Sequence, residues 1–369
     1  MSLIKRFEIV LEHDIDEQYQ YEPGEELRGN VIVELAGTVA LRAITLQVKG
    51  EANVSWEDTG KRHEPQGYQA DEVYIDVTID LLQTDDTLVT LDEGRHRFPL
   101  NYELPDNLPS SFIGKFGSIT YVVKAVLKED KRFGPSTMIT SEPFLVLKRL
   151  DILSDAELQK PVTQTSEKRF FGTLMFCLSG KVCATLNINR SGHLPGEDIF
   201  LDAEITNSSP RLVQSVQAAL VMTSVFRARH KSCHSIQVVN KKRDEWEMDY
   251  GEGRRWKNVR LTIPPYIPES RLDGCDIIDI HYELMFKVDI AGKNELKINV
   301  PLTIGTSNDN HGNMAKATDE YIMNAPDLDE KDVNGLDGVS IDMNDEEHKR
   351  FRHPLNHGDT RKNPIFNNQ

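Results

Sequence analysis

His348, His353 and His357 stand close together near the C-terminus. Three imidazoles hold a zinc ion only where a fold fixes them in tetrahedral geometry with a further ligand. No cysteine accompanies them, so the group is read as accidental. Cys177, Cys183, Cys233 and Cys275 form no C-x-x-C pair, which removes a zinc knuckle and a thioredoxin-like dithiol. They are read as reduced, mostly buried thiols. The phosphate-cradling G-x-x-x-x-G-K-[ST] loop is missing, because Gly180-Lys181 is followed by Val182, and neither G-x-S-x-G nor H-E-x-x-H occurs. Gly251-Glu252-Gly253 is a loop repeat and not a dinucleotide fingerprint. The sequence therefore predicts no enzyme, no metal and no cofactor.

Recognition chemistry is better represented. Lys5 and Arg6 open the first strand-like segment; Arg227, Arg229, His230 and Lys231 follow another; Lys241, Lys242 and Arg243 come next, then Arg254, Arg255, Lys257 and Arg260. Such clusters attract phosphorylated peptides or anionic lipid head groups; solvated strand ends are the alternative. Lys5, Arg6, Arg227, Arg229, Lys231, Lys241, Lys242 and Arg243 are taken as the candidate anion- or cargo-binding residues. The formal charge of −16 argues against nucleic acid as partner. Near the C-terminus Asn363, Pro364 and Phe366 of "NPIF" resemble endocytic N-P-x-Y/F peptides, and an ordinary terminus is the alternative.

These groups must be positioned by strands. "PGEELRGNVIVEL" places Leu27, Gly29, Val31, Val33 and Leu35 on one parity, and "PGEDIFLDAEI" does the same with Ile199, Leu201, Ala203 and Ile205. Pro-Gly punctuates a turn before each. Aligning the two Pro-Gly-Glu turns puts Leu27 on Ile199 and Val33 on Ile205 in one phase. "ITYVVKAVL" and "IHYELMFKV" form a second matched pair, each after a proline-marked loop. Further strand-like stretches separated by turn residues give roughly seven strands per half, the count of an immunoglobulin-like sandwich. "SDAELQK" (Ser154 to Lys160) is the most helix-like piece, with capping-box spacing from Ser154 to Glu157. From Asp319 to Glu347 eleven acidic residues face one basic, Lys331, which predicts a flexible acidic tail. No apolar run approaches a membrane span, and "MSLIKRFEIVLEHD" lacks the shape of a signal peptide, so a cytosolic chain is expected.

"ANVSW" (Ala52 to Trp56), "LPSSFIGKFGSITYVVKA" (Leu108 to Ala125), "PGE" (Pro195 to Glu197), "GCDIIDIHYELMFKVDIAG" (Gly274 to Gly292) and "INVPLTIGT" (Ile298 to Thr306) resemble the arrestin-domain-containing proteins, or α-arrestins. The resemblance implies an all-β fold: an arrestin N-like sandwich at 1–148, a connector at 149–172, an arrestin C-like sandwich at 173–306 and a disordered acidic tail at 307–369. It implies a non-catalytic cytosolic adaptor, peripherally associated with the plasma membrane or endosomes. Such an adaptor binds cytoplasmic segments of membrane receptors or transporters and links them to endocytic, ubiquitination or endosomal sorting machinery. A structural subunit of an endosomal sorting coat is the alternative. Many family members dock ubiquitin ligases through P-P-x-Y motifs. This tail has none; the Pro-Pro-Tyr at Pro264 to Tyr266 lacks the spacer and reads as a strand-end turn, so a ligase contact would be indirect or take another route. A subgroup of the family uses a cysteine shortly before a C-domain tryptophan. Gly251 to Arg255, before Trp256, contains no cysteine, and that activity is not carried over. Anionic lipids remain candidate partners of the cationic groups.

Overall fold

The computed structural model describes residues 3–12, 20–58, 66–83, 88–131, 134–171 and 180–306, and every helix or strand among them is a strand. In the first half, β1 (Ile4–Glu12), β3 (Glu26–Leu35) and β7 (Gly94–Glu103) form a sheet ordered β1-β3-β7. The facing sheet is ordered β2-β10-β9-β4-β5, from β2 (Gln20–Tyr21), β4 (Val39–Asp58), β5 (Gln66–Gln83), β9 (Gly117–Lys131) and β10 (Gly134–Val146). Short strands β6 (Val89–Leu91) and β8 (Phe112–Gly114) pair with β4 and β9.

In the second half, β11 (Val162–Phe170), β12 (Gly180–Ile188), β14 (Asp198–Asn207) and β17 (Gly253–Thr262) form a sheet ordered β11-β12-β14-β17. The other is ordered β13-β19-β18-β15-β16, from β13 (Gly192–His193), β15 (Val213–Ala228), β16 (Lys231–Met248), β18 (Ile278–Ile290) and β19 (Asn294–Ile304). Eight strands of each half correspond in order, including the parallel pairs β2–β10 and β13–β19, while β6 and β8 have no equivalent in the second half. β11 has no counterpart. It takes up residues that the sequence reading placed in the connector, and adds a fourth strand beside β12.

The duplication extends to single hydrogen bonds. Gly24 and Gly196 hold φ of 82° and 86°, the left-handed region that glycine adopts without a Cβ clash. Glu25 closes its turn with a carboxylate that accepts the Glu22 N–H at 2.8 Å, and Glu197 accepts the Leu194 N–H at 2.8 Å. The Tyr121 hydroxyl donates to Pro109 O at 2.7 Å, and that of Tyr282 donates to Pro268 O at 2.8 Å. Ser111 Oγ accepts Val146 N–H, and Ser270 Oγ accepts Ile304 N–H. The predicted phase holds: Leu27, Val33, Ile199 and Ile205 are all fully buried. Such alternation buries one face per strand, the condition for two sheets to share a core.

One expected element differs. Ser154 to Lys160 is a pair of turns and not a helix: Leu158 N–H donates to Asp155 O and Lys160 N–H to Glu157 O. Asp151 takes the capping role instead, its carboxylate accepting the Leu153 N–H at 2.8 Å. Those bonds hold Asp151 below the usual carboxylate range. The segment is too short to stabilise a helix against such local competition.

The sandwiches meet through the same repeated loops. Lys148 Nζ donates to Asp273 O at 3.0 Å, and Asp276 N–H donates to the Glu72 carboxylate at 3.0 Å. Leu150 and Thr306 exchange bonds, Leu150 N–H to Thr306 Oγ1 and Thr306 N–H to Leu150 O. Phe116 of the first half meets Phe226 of the second edge-on, with centroids 5.7 Å apart.

Candidate binding surfaces

The long strand β5 lies at the edge of its sheet. It pairs with β4 from Gln66 to Gln83, and among the described residues no other strand pairs with it. An open edge presents alternate N–H and C=O groups to solvent and can accept an extended peptide. The side chains along it are acidic: Asp71, Asp76 and Asp80 lie on the outward face, beside Val73, which is 57% exposed. Irregularities of register at Gly50/Glu51 and Ile44/Thr45 bend the β4–β5 ribbon and re-aim these side chains. Glu72 turns the other way and is used at the junction between sandwiches.

Its counterpart β16 carries the opposite charge over its middle, at Lys241, Lys242 and Arg243, all exposed. The structure does not bring the sequence-predicted cations into one site. Lys5 and Arg6 lie on β1 in the other sandwich, and Arg6 pairs with Glu8 at 2.7 Å. Arg227 and Lys231 flank the β15–β16 turn, where Arg229 holds φ of 57°. Arg227 pairs with Asp279 at 3.4 Å and donates to Asp276 O. Ten ladder positions separate Lys231 from Lys241, a span of roughly 30 Å at strand rise. Arg243 pairs with Glu245 at 2.9 Å and Asp289 at 3.6 Å. On β17, Arg255 pairs with Glu204 and Arg260 with Asp198, and Arg254 stacks over Trp246. Asn363, Pro364 and Phe366, the histidines His348, His353 and His357, and Cys177 lie outside the described residues. Pro264 to Tyr266 follows the end of β17, where Pro264 O accepts the Gly196 N–H, as a strand-end turn requires.

Buried titratable groups gather where the sandwiches meet, a feature that sequence reasoning missed. Glu269 is 4% exposed, and burial pushes its carboxyl above the usual range, with the Ser110 hydroxyl opposing. It lines a cavity of about 20 Å³ with Ser110, Lys148, Arg271 and Asp273, room for about one water. Burial likewise raises Tyr74, Tyr121 and the Cys275 thiol. His193 is fully buried at the site equivalent to Tyr21. Burial, with Arg190 nearby, pushes it down to about 4, even though Glu197 stands 3.9 Å away. The only sequence signal for this region was the pair of proline-marked loops; their partners across the junction are far apart in the chain. The Glu269 carboxyl meets the Ser110 hydroxyl, and the Tyr74 hydroxyl meets the Cys275 thiol. Among the described residues no three His, Cys, Asp or Glu side chains converge as a metal site would need. No helix of the described residues is long and apolar enough to cross a membrane.

Residues 8–153 match the description "Arrestin (or S-antigen), N-terminal domain" and residues 178–308 match "Arrestin (or S-antigen), C-terminal domain". The chain is 34% identical over 294 residues to arrestin domain-containing protein 4 of Homo sapiens, covering 78% of this chain and 68% of that one. It is 26% identical to arrestin domain-containing protein 17 of Caenorhabditis elegans over 83% of this chain and 71% of the relative. It is 28% identical to the thioredoxin-interacting protein of Mus musculus over 82% and 74%. Two matched sandwiches, with both halves of the arrestin description falling on them in order, place this chain in the arrestin-domain-containing, or α-arrestin, family.

Proposed function

We propose that the chain is a non-catalytic cytoplasmic adaptor. It holds a cytoplasmic segment of a membrane receptor or transporter and links it to endocytic, ubiquitination or endosomal sorting machinery at the plasma membrane or endosomes. Adaptor-type function is what membership of the family supports. The observation that carries the finer reading is β5, an edge of eighteen residues with an open ladder and outward carboxylates. Main-chain pairing supplies affinity for any extended peptide, and the side chains select among them. Cytoplasmic segments next to a membrane span are enriched in Lys and Arg, the charge that Asp71, Asp76 and Asp80 attract.

Affinity purification of the full chain from cells under native conditions tests this. The expected result is recovery of membrane receptors or transporters together with trafficking or ligase components, in substoichiometric amounts. A fixed stoichiometric set of coat subunits would replace the reading with a structural coat role. Recovery of neither, with the purified protein turning over a metabolite, would replace it with an enzyme.

A further inference from the structure

β5 is open on its core side as well as along its ladder edge. Val77 stands opposite Val48 of β4, Ile79 opposite Leu46 and Leu82 opposite Ile44. Val48, Leu46 and Ile44 are fully buried, so this is the face of the sheet that holds the core. Yet Val77 is 37% exposed, and Ile79 and Leu82 are only half-buried. The facing sheet has three strands against five and leaves them bare. Across the gap, β7 is uncovered in the same way. Phe98 and Tyr102 stand opposite the fully buried Val31 and Leu27 of β3, and both are half-buried. Among the described residues, none of the side-chain bonds and ring contacts of these two strands joins β5 to β7.

The second sandwich shows the same side closed. Matching Tyr121 with Tyr282 aligns Val48, Leu46 and Ile44 with Leu220, Ala218 and Val216. Their partners follow: Val77, Ile79 and Leu82 take the ladder positions of Asn240, Lys242 and Asp244 on β16. Two of those three reach β17. Asn240 Nδ2 donates to Thr262 O at 2.7 Å, and Trp256 Nε1 donates to the Asp244 carboxylate at 2.6 Å. Trp246 meets Trp256 edge-on, with centroids 5.9 Å apart, and fills the space between the strands. Phe98 takes the position of Trp256, because Val31 and Ala203 match when the Pro-Gly-Glu turns are aligned. One copy therefore seals this side with polar bonds and a ring pair. The other leaves apolar side chains half-exposed beside an open edge, which marks a contact surface.

The outward face of the same stretch is acidic. From Ile75 to Asp80 the ladder with β4 is regular, so Val77 and Ile79 alternate with Asp76, Thr78 and Asp80. Lys49 stands opposite Asp76, but its ammonium is held by Glu51 at 2.6 Å, and Asp76 accepts the Gln47 amide at 2.7 Å. The carboxylates keep their charge for an incoming cation.

We infer that the strand added to β5 is amphipathic: an extended segment in which apolar residues alternate with Lys or Arg. Successive side chains of a strand point to opposite faces. Such a segment sends its apolar set into the slot between Val77, Ile79 and Leu82 on one side and Phe98 and Tyr102 on the other. Its basic set lies along Asp76 and Asp80. The slot lets such a segment bury apolar area that a purely basic one lacks, and the two-residue period fixes its register. The inference rests on peptide addition at β5 and specifies which peptides are taken.

The test measures binding of three labelled peptides to the full chain by fluorescence anisotropy at low salt. One alternates Lys and Val, one alternates Lys and Ser with the same charge, and one has the first composition with all Lys before all Val. The alternating Lys-Val peptide is expected to bind about tenfold tighter than either of the others. Val77→Thr with Ile79→Thr keeps β-branched residues in the strand and is expected to bring it down to the Lys-Ser level, with Lys-Ser binding unchanged. Equal affinity for all three peptides overturns the inference. It leaves addition at β5 standing if Asp76→Lys with Asp80→Lys weakens all three, and removes that reading too if the charge reversal has no effect. A second measurement leaves β5 unaltered and places p-benzoylphenylalanine at Phe98. Photo-crosslinks to the Lys-Val peptide are expected, and their absence at saturating peptide overturns the inference.

Discussion

At the residue scale, the repeated Pro-Gly-Glu turn was legible in the sequence because its parts are local. Proline, a positive-φ glycine and a carboxylate that caps its own turn need no distant partner. Gly196→Ala forces a Cβ onto φ of 86°, although the nearest atom outside the turn is 3.9 Å away, so backbone strain alone carries the cost. We expect a loss of about 1 kcal/mol in chemical denaturation, and about the same for Glu197→Ala through loss of its turn bond. The buried groups were not legible, because burial is set by strands far away in sequence. His193 and Glu269 respond to pH with opposite signs. The folded state keeps His193 neutral down to about 4, so between there and about 6.5 the unfolded chain binds the extra proton. Stability falls as pH drops through that window, by up to ~3 kcal/mol, and His193→Gln flattens the dependence. Glu269 is raised, so the folded state retains a proton that the unfolded chain releases above the ordinary carboxyl value. Its contribution is present at acid pH and lost as pH rises. Glu269→Gln is therefore expected to stabilise the protein near pH 7 and to match the parent near pH 4. Unfolding free energies at several pH values check both.

At the element scale, strands with one clean apolar parity, such as β14 and β18, were visible in advance. β16 was not. Half of its length is partly buried on both faces, and its far end is charged, so no alternation marks it as a strand. β11 was hidden for a related reason: its residues are polar on both faces because it is an added edge strand. β5 has the reverse property. Its sequence reads as an ordinary strand, and only the ladder shows that its outer edge is open. Replacing Asp71, Asp76 and Asp80 together by Lys should leave the fold intact, since all three are exposed. It should weaken binding of a lysine-rich cytoplasmic peptide at least tenfold in a titration at low salt, while a charge-reversed peptide gains. Tyr282→Phe removes the bond to Pro268 O in the second sandwich and should cost roughly 1 kcal/mol.

At the scale of the whole molecule, duplication explains both the likeness of the halves and the way they join. The same loops that close each sandwich face each other across the junction, so Ser110 of one copy meets Glu269 of the other. Divergence between copies leaves an acidic edge on β5 and a cationic stretch on β16. Phe226→Ala removes the ring that meets Phe116 and should cost roughly 3 kcal/mol or more, splitting one unfolding transition into two. The claim on which the adaptor reading rests is that cargo adds a strand to β5. Amide hydrogen exchange across the full chain, with and without a saturating lysine-rich cytoplasmic peptide, tests it most directly. The account predicts that protection rises at alternate amides of Gln66–Gln83 and little elsewhere; unchanged exchange along β5, with protection appearing on another strand, would contradict it.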